Sequence, residues 1–425
     1  MGIVFLYTFN VGKSFPAGAF ESFQVYQDAK EDKARIWAVA LQEVPNGEVS
    51  GITIKSRTWL NFFINMMSSA NKTLIHHRYL LSNLLMVFSD LDFAKFLQKI
   101  ENRSVKYTLG GTLGYKSTMG IRILLRNGVD LVFVTSHLVH GEANADLRCK
   151  QYELAKMCLF DDTLDVSEHR IVFWLGDLNF RVEGGHTSDL FTAYEGVGRH
   201  ATCSHADQLH QVLKKKLIFE DFTEPEIKFS PSYRFKVGTC LYDHARAPSW
   251  CDRILVKQYN LPYTNLVYDL DIPVQVSDHL PVYATYEIPQ LLKADYIVDN
   301  ICNFQPIPCW TCSVYFMCQF GFNNGYYAEQ GSNRDWVGFY SLPIKNIKEP
   351  DGWMYMGLCY ESNDFASQPV EASSLKTLTG NSVDNKRYVA EWSSLKVGRY
   401  VVGYYSVKYD TLIGISNVFT VRASV

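Results

Sequence analysis

The stretch WLGDLNFR (Trp174–Arg181) closes the apolar run Ile171–Asp177, and its reading decides the rest of the chain. A run that is apolar at nearly every position reads as a strand buried on both faces, and this one ends on Asp177 and Asn179, side chains suited to proton and metal-ion chemistry. Similar runs occur at Ile36–Leu41, Asn83–Phe88, Gly120–Leu125 and Leu131–His137, each ending at or beside a polar residue. Strands that deliver Asn, Glu, His and Asp at their ends set chemistry along one rim of stacked sheets. Trp59–Ser69 and Ala145–Phe160 carry apolar residues at helical spacing and predict helices that cover those sheets. The opening Met1–Phe9 predicts a first core strand, so the first part reads as an α/β sandwich.

From about Tyr296 the texture changes to short alternating strands between Gly, Asn and Pro turns, at Trp336–Tyr340, Met354–Tyr360, Tyr388–Trp392 and Tyr400–Ser406. That pattern predicts an all-β sandwich. A chain of 425 residues exceeds what one hydrophobic core serves, so two domains are expected, 1–290 and 291–425, with the break near Pro289–Asp295.

A formal net charge of -3 argues against a protein that coats nucleic acid through its whole surface, which requires clustered Lys and Arg; a local basic pocket stays open. Gly2 is not followed by Ser or Thr at Leu6, the C-terminal Ala423–Val425 offers no prenylation Cys, and no apolar run is long enough to cross a bilayer. Any membrane contact is therefore expected to be peripheral, from a cytoplasmic protein. Ten scattered Cys fit reduced thiols, and the CxxC pair Cys309 and Cys312, lacking a second pair, is expected to be buried and structural.

Asn10 in TFNVG (Thr8–Gly12) and Glu43 in ALQEV (Ala40–Val44) each follow an apolar strand. Magnesium takes hard oxygen ligands and keeps several waters, so a carboxylate beside an amide oxygen suits it, although either residue alone is as readily a capped or solvated loop. Further along come SHL (Ser136–Leu138), WLGDLNFR, WCDRIL (Trp250–Leu255) and SDHLPV (Ser277–Val282). They supply His137, Asp177, Asn179, Asp252, Asp278 and His279 in that order, and their joint appearance in this order points to catalysis.

With these motifs the sequence resembles the endonuclease/exonuclease/phosphatase superfamily, and within it the inositol polyphosphate 5-phosphatase family, from Phe5 to about Glu287. WLGDLNFR and the pair RAPSWCDR (Arg246–Arg253) with SDHLPV carry the likeness. The resemblance implies a four-layer α/β sandwich and a Mg2+ ion held by Glu43 with Asn10 and Asp278. It implies that Asp177 orients and deprotonates the attacking water and that Asn179 fixes its line. His279, oriented by Asp252, would donate to the phosphoryl oxygens, with His137 contacting the same phosphate. PSYRF (Pro231–Phe235) resembles the family's grip on the neighbouring 4-phosphate, which makes Tyr233, Arg234, Arg246, Lys116 and His244 the substrate-binding candidates; vicinal phosphates suit bidentate Arg.

Three departures from the family accompany the likeness. Phe9 stands for a Trp, GYKST (Gly114–Thr118) for a glycine-rich segment of tight turn and close backbone approach, and His244 for a phosphate-holding Lys. DWVGFY (Asp335–Tyr340), GRYVVGYYS (Gly398–Ser406) and GISNVF (Gly414–Phe419) resemble the SKICH domain, implying an immunoglobulin-like sandwich that localises the protein through membrane or protein contacts. The expected partners are phosphoinositide lipids at a membrane surface and a protein bound by the sandwich, with no nucleic acid and a monomeric state. The expected reaction is removal of the 5-phosphate from phosphatidylinositol 4,5-bisphosphate and the 3,4,5-trisphosphate. Soluble inositol polyphosphates, a non-catalytic phosphoinositide-binding scaffold and another phosphodiesterase of the superfamily are the alternatives.

Overall fold

The computed structural model describes residues 2–50, 58–109, 112–162, 169–183, 206–243, 245–292, 301–323, 326–362 and 386–424. The chain forms two compact units, one of residues 1–90 with 100–296 and one of 91–99 with 297–425.

In the first unit the strands are β1 (Ile3–Asn10), β2 (Ile36–Gln42), β3 (Thr73–Leu80), β4 (Asn83–Ser89), β5 (Leu97–Leu109), β6 (Thr112–Leu125), β7 (Val129–His137), β8 (His169–Asp177), β9 (Asp252–Tyr259), β10 (Thr264–Leu270) and β11 (Val282–Glu287). They make two sheets, ordered β10-β11-β1-β2-β4-β3 and β5-β6-β7-β8-β9. β1, β2, β4 and β7 are buried at every position, as strands covered on both faces must be.

Alternation along each strand then sorts the side chains. Phe5, Tyr7 and Phe9 of β1 and Trp37, Val39 and Leu41 of β2 pack outward against Trp59 and Phe63 of the helix Trp59–Ser69, which Thr58 caps by accepting from the Asn61 amide. Phe9 meets the Trp59 ring edge-on at 6.0 Å, so the Phe at this position packs without reaching the inner face. On the other sheet Val132, Val134, Val172 and Trp174 pack outward against Tyr152 of the helix Ala145–Ala155. The expected longer helix stops there; a 3-10 turn, Lys156–Leu159, follows and ends at Phe160 in a left-handed backbone (φ 59). The opposite parity faces the facing sheet. Phe173 of β8 lies 5.1 Å from Tyr286 of β11, and Gln42 of β2 donates to Thr135 of β7 at 3.2 Å. That same parity ends on Asn10, His137 and Asp177.

The second unit contains β12 (Cys302–Phe304), β13 (Trp310–Thr311), β14 (Phe316–Phe322), β15 (Trp336–Ser341), β16 (Gly352–Tyr355), β17 (Tyr360–Ser362), β18 (Arg387–Trp392), β19 (Gly398–Ser406), β20 (Thr411–Ile415) and β21 (Phe419–Arg422). One sheet runs β12-β14-β18-β17 and the other β13-β21-β19-β15-β16, with β20 beside β19. Their facing sides share one aromatic-rich core that includes Phe316, Phe320, Tyr388, Tyr404 and Phe419. The predicted strand Met354–Tyr360 is instead broken by a 3-10 turn, Met356–Leu358, so its two ends belong to different sheets. The CxxC thiols depart from expectation as well. Cys309 is exposed and Cys312 half-buried, because they flank β13, a two-residue strand at a sheet edge, whereas Cys302 and Cys318 lie in the core.

Candidate active site

Four strand ends meet at one end of the first sandwich. The parallel pairing of β7 with β8 sets His137 opposite Asp177, and the antiparallel pairing of β8 with β9 sets Asp177 opposite Asp252. Gly176 precedes Asp177 because a Cβ there would lie 2.1 Å from the Ser136 carbonyl oxygen. From the facing sheet, the Asn10 amide donates to Asp177 Oδ2 at 2.9 Å, and its own oxygen accepts the Gly12 amide at 3.0 Å. Glu43 and Asn179 both hold left-handed backbones, with φ 57 and 56. Such a conformation costs a non-glycine residue on the order of 1 kcal/mol, and here both residues line the cleft.

The cleft has a volume of about 130 Å³ and is lined by Asn10, Glu43, Lys116, His137, His140, Asp177, Asn179, Arg181, Tyr233, Arg246, Asp278 and His279. Asp177 is buried with Oδ2 3.2 Å from His137 Nε2, while the Asn179 amide donates to its Oδ1 at 3.0 Å. Burial alone would raise its carboxyl, but the hydrogen bond from His137 and the positive charges of His279 and Lys116 outweigh burial and hold it below the ordinary carboxylate range. Burial first, then the Lys116 charge, push His137 down, which keeps it neutral near pH 7.

His279 is the opposite case. Burial acts to lower it, yet the Asp252 carboxylate, 2.8 Å from Nδ1, together with Asp177 and Asp278, raises it to about 9. Asp252 stands behind the cleft wall, where Ser232 donates to the same Oδ2 at 2.7 Å. His279 is therefore an imidazolium with Nδ1 committed to Asp252 and Nε2 left to act.

Of the substrate-binding candidates, Lys116, Tyr233 and Arg246 line the cleft, and Arg246 donates to the Tyr233 hydroxyl at 3.3 Å. Arg234 does not line it. Its Nε lies 3.2 Å from Asp243 and 3.3 Å from Asp278, so this guanidinium joins Asp278 of the cleft wall to Asp243 behind it. His244 lies outside the described residues. Two cleft residues escaped the sequence reading. Arg181 bonds Asn179 Oδ1 and stacks 4.5 Å from the Tyr233 ring centroid, and its place two residues after Asn179 was the available signal. His140 sits just past the strand that ends on His137, with no motif to mark it.

GYKST forms no tight turn. Ser117 and Thr118 continue β6 in register with His137 and Ser136. Ser117 accepts from Asn83 Nδ2 at 2.6 Å, and the Thr118 hydroxyl joins those of Tyr107 and Ser136, with Trp174 Nε1 donating to Ser136 at 2.9 Å. Hydroxyls thus fill the space, and Lys116, whose Nζ contacts His137 Nε2, still reaches the cleft. Arg253 of RAPSWCDR is likewise structural: buried, it donates to Asp207 at 2.8 Å and Glu224 at 2.7 Å.

Asp177, Asp252 and His279 lie close enough together to suggest a metal seat. Their existing bonds argue otherwise, since Asp252 Oδ2 already serves His279 and Ser232. Glu43, with its carboxylate partly exposed, the Asn10 amide oxygen and Asp278 are all hard oxygen donors on the cleft wall, a set that fits a Mg2+-like ion better.

Residues 7–285 match the family described as Endonuclease/Exonuclease/phosphatase family 2. The chain belongs to that family, in its inositol polyphosphate 5-phosphatase branch. Polyphosphatidylinositol phosphatase INP53 of Saccharomyces cerevisiae is 33% identical over 267 residues, covering 60% of this chain and 24% of that protein. Human phosphatidylinositol 4,5-bisphosphate 5-phosphatase A is 24% identical over 442 residues, 97% of this chain and 41% of that protein, so the likeness extends into the second unit. The chain spans about a quarter of the length of the first of these relatives. Among solved structures, the 5-phosphatase domain of SPsynaptojanin, in complex with inositol (1,4)-bisphosphate and calcium ion, has a TM-score of 0.53 at 23% identity, covering 67% of this chain and 83% of that one. Cimex nitrophorin, solved as a ferrous NO complex, has a TM-score of 0.57 at 22% identity, covering 67% of this chain and 98% of that one. Since one fold serves a phosphatase domain and a nitrophorin, the cleft residues of this family member have to carry the functional argument.

Proposed function

We propose that this family member is a Mg2+-dependent phosphatase that removes the 5-phosphate from phosphatidylinositol 4,5-bisphosphate and the 3,4,5-trisphosphate, and from their soluble headgroups. The observation that carries the reading is the convergence of an ionised Asp177, a protonated His279 and the cations Lys116, Arg181 and Arg246 on one small cleft. A bound Mg2+ at Glu43, Asn10 and Asp278 would supply charge to offset that growing on the leaving oxygen.

This chain's own residues account for the rest. Asp177, held by Asn10 and the Asn179 amide, orients a water toward phosphorus and takes its proton late, since a carboxylate this acidic is a weak base until the water oxygen has begun to bond. His279 donates from Nε2 to a phosphoryl oxygen as negative charge builds. The water oxygen–phosphorus bond forms and the phosphorus–ring oxygen bond breaks; the ring oxygen leaves as an alkoxide that takes a proton from solvent water, and Asp177 returns its own proton to solvent. Tyr233 and Arg246 lie where a vicinal phosphate would be gripped, and Arg181 keeps Asn179 in line. The second unit is proposed to localise the protein, with peripheral attachment to membranes from the cytoplasm.

Phosphate release from the lipid and from soluble inositol 1,4,5-trisphosphate, with and without Mg2+, tests this. For Asp177→Ala, kcat should fall by about a thousandfold or more. Retention of ligand binding with no turnover in the parent would leave a binding scaffold instead.

A further inference from the structure

The chain between Tyr233 and Arg246 leaves the cleft and returns to it. It is rooted at both ends: the Phe235 amide donates to the Asp278 carbonyl at 2.9 Å, and the Asp243 amide to Arg234 at 2.8 Å. Phe235 and Tyr242 bridge and stack, with ring centroids 4.4 Å apart, which makes the segment a short pinned hairpin. Its tip rests on the turn that precedes Asp278, where the Gly238 amide donates to the Gln275 carbonyl at 2.9 Å.

This anchored rim presents apolar side chains to solvent. Val237 and Leu241 are each 63% exposed, and Ile272, on the supporting turn, is 52% exposed. Lys236 is exposed beside them. An extended chain from Tyr233 to Val237 spans at most about 14 Å, so the apolar tip stands within one headgroup's reach of the cleft.

We infer that Val237, Leu241 and Ile272 form a contact that dips into an anionic lipid bilayer and seats the cleft over a membrane-borne substrate. The inference rests on the phosphoinositide reading of the cleft. A lipid substrate cannot leave its bilayer for the cleft, so the rim must come to the interface. Apolar side chains flanked by Lys236 and the cleft cations suit a surface that is hydrocarbon beneath and anionic above. A protein partner would meet the apolar residues equally well but gives no reason for them to adjoin the cleft.

The experiment compares the full chain with V237E/L241E and with the milder V237S/L241S. Hydrolysis is measured on phosphatidylcholine vesicles carrying phosphatidylserine and phosphatidylinositol 4,5-bisphosphate, and on soluble inositol 1,4,5-trisphosphate. We expect the Glu variant to lose about tenfold or more on vesicles, the Ser variant less, and both to change under about twofold on the soluble substrate, which also reports that they fold. Parallel loss on both substrates, or no loss on vesicles, overturns the contact. Sedimentation of the same proteins with the same vesicles needs no turnover. A parent that releases no phosphate yet loses vesicle binding on V237E/L241E would refute the proposed reaction and keep the contact; equal sedimentation of parent and variant would refute the contact alone.

Discussion

His279 and Asp252 show how two side chains 2.8 Å apart divide one proton. The imidazole titrates at about 9, so it is charged throughout the neutral range and loses its Nε2 donor as pH rises through that value. For hydrolysis of the soluble substrate, kcat/KM is expected to hold level through neutrality and fall on the alkaline side of about pH 9. In Asp252→Asn the supporting charge is gone, and the alkaline limb should move to lower pH. A limb that stays in place in the variant would assign it to another group. Asp177 and His279 were legible as residues because each ends or begins an apolar run. The partners of Arg234 were not legible, because a sequence shows a charge but not what it pairs with, and here Asp243 and Asp278 take it up.

At the scale of strands, one parity rule governs the molecule. Odd positions of β1 face the helix Trp59–Ser69, and even positions face the other sheet and end on Asn10. The apolar runs of β2, β4, β7 and β8 revealed their strands for this reason. β3 (TLIHHRYL) and β5 (LQKIENRSVKYTL) did not, since His, Arg, Lys and Glu interrupt the pattern and neighbouring strands recruit them by hydrogen bonding rather than by hydrophobic periodicity. GYKST belongs here too. Its chain of hydroxyls from Tyr107 through Thr118 to Ser136 is a packing device, so Thr118→Val should cost about 1–3 kcal/mol of stability, read from the denaturant midpoint, with kcat near that of the parent. A large fall in kcat with unchanged stability would give the segment a catalytic role after all.

For the whole molecule, the change of texture near Tyr296 led to an expected break near Pro289–Asp295, and the two compact units adjoin in sequence at 296 and 297. Sequence order could not reveal that residues 91–99 group with the second unit, because long-range pairing leaves no local mark. On the proposed reading, Glu43, Asn10 and Asp278 hold an ion that the unfolded chain cannot hold. Added Mg2+ should therefore raise the thermal midpoint of the parent by a few degrees and that of Glu43→Ala by less. Equal shifts in both proteins would place the ion elsewhere.

Asn10 and Asp177 come from different sheets, and so do Gln42 and Thr135. The catalytic apparatus is thus also a clasp between the two halves of the sandwich, and neither half carries a working fragment of it. Turnover should then vanish in step with the tertiary signal during denaturation, with no lingering weak activity, so that a simple phosphate assay doubles as a gauge of whether the halves are still closed.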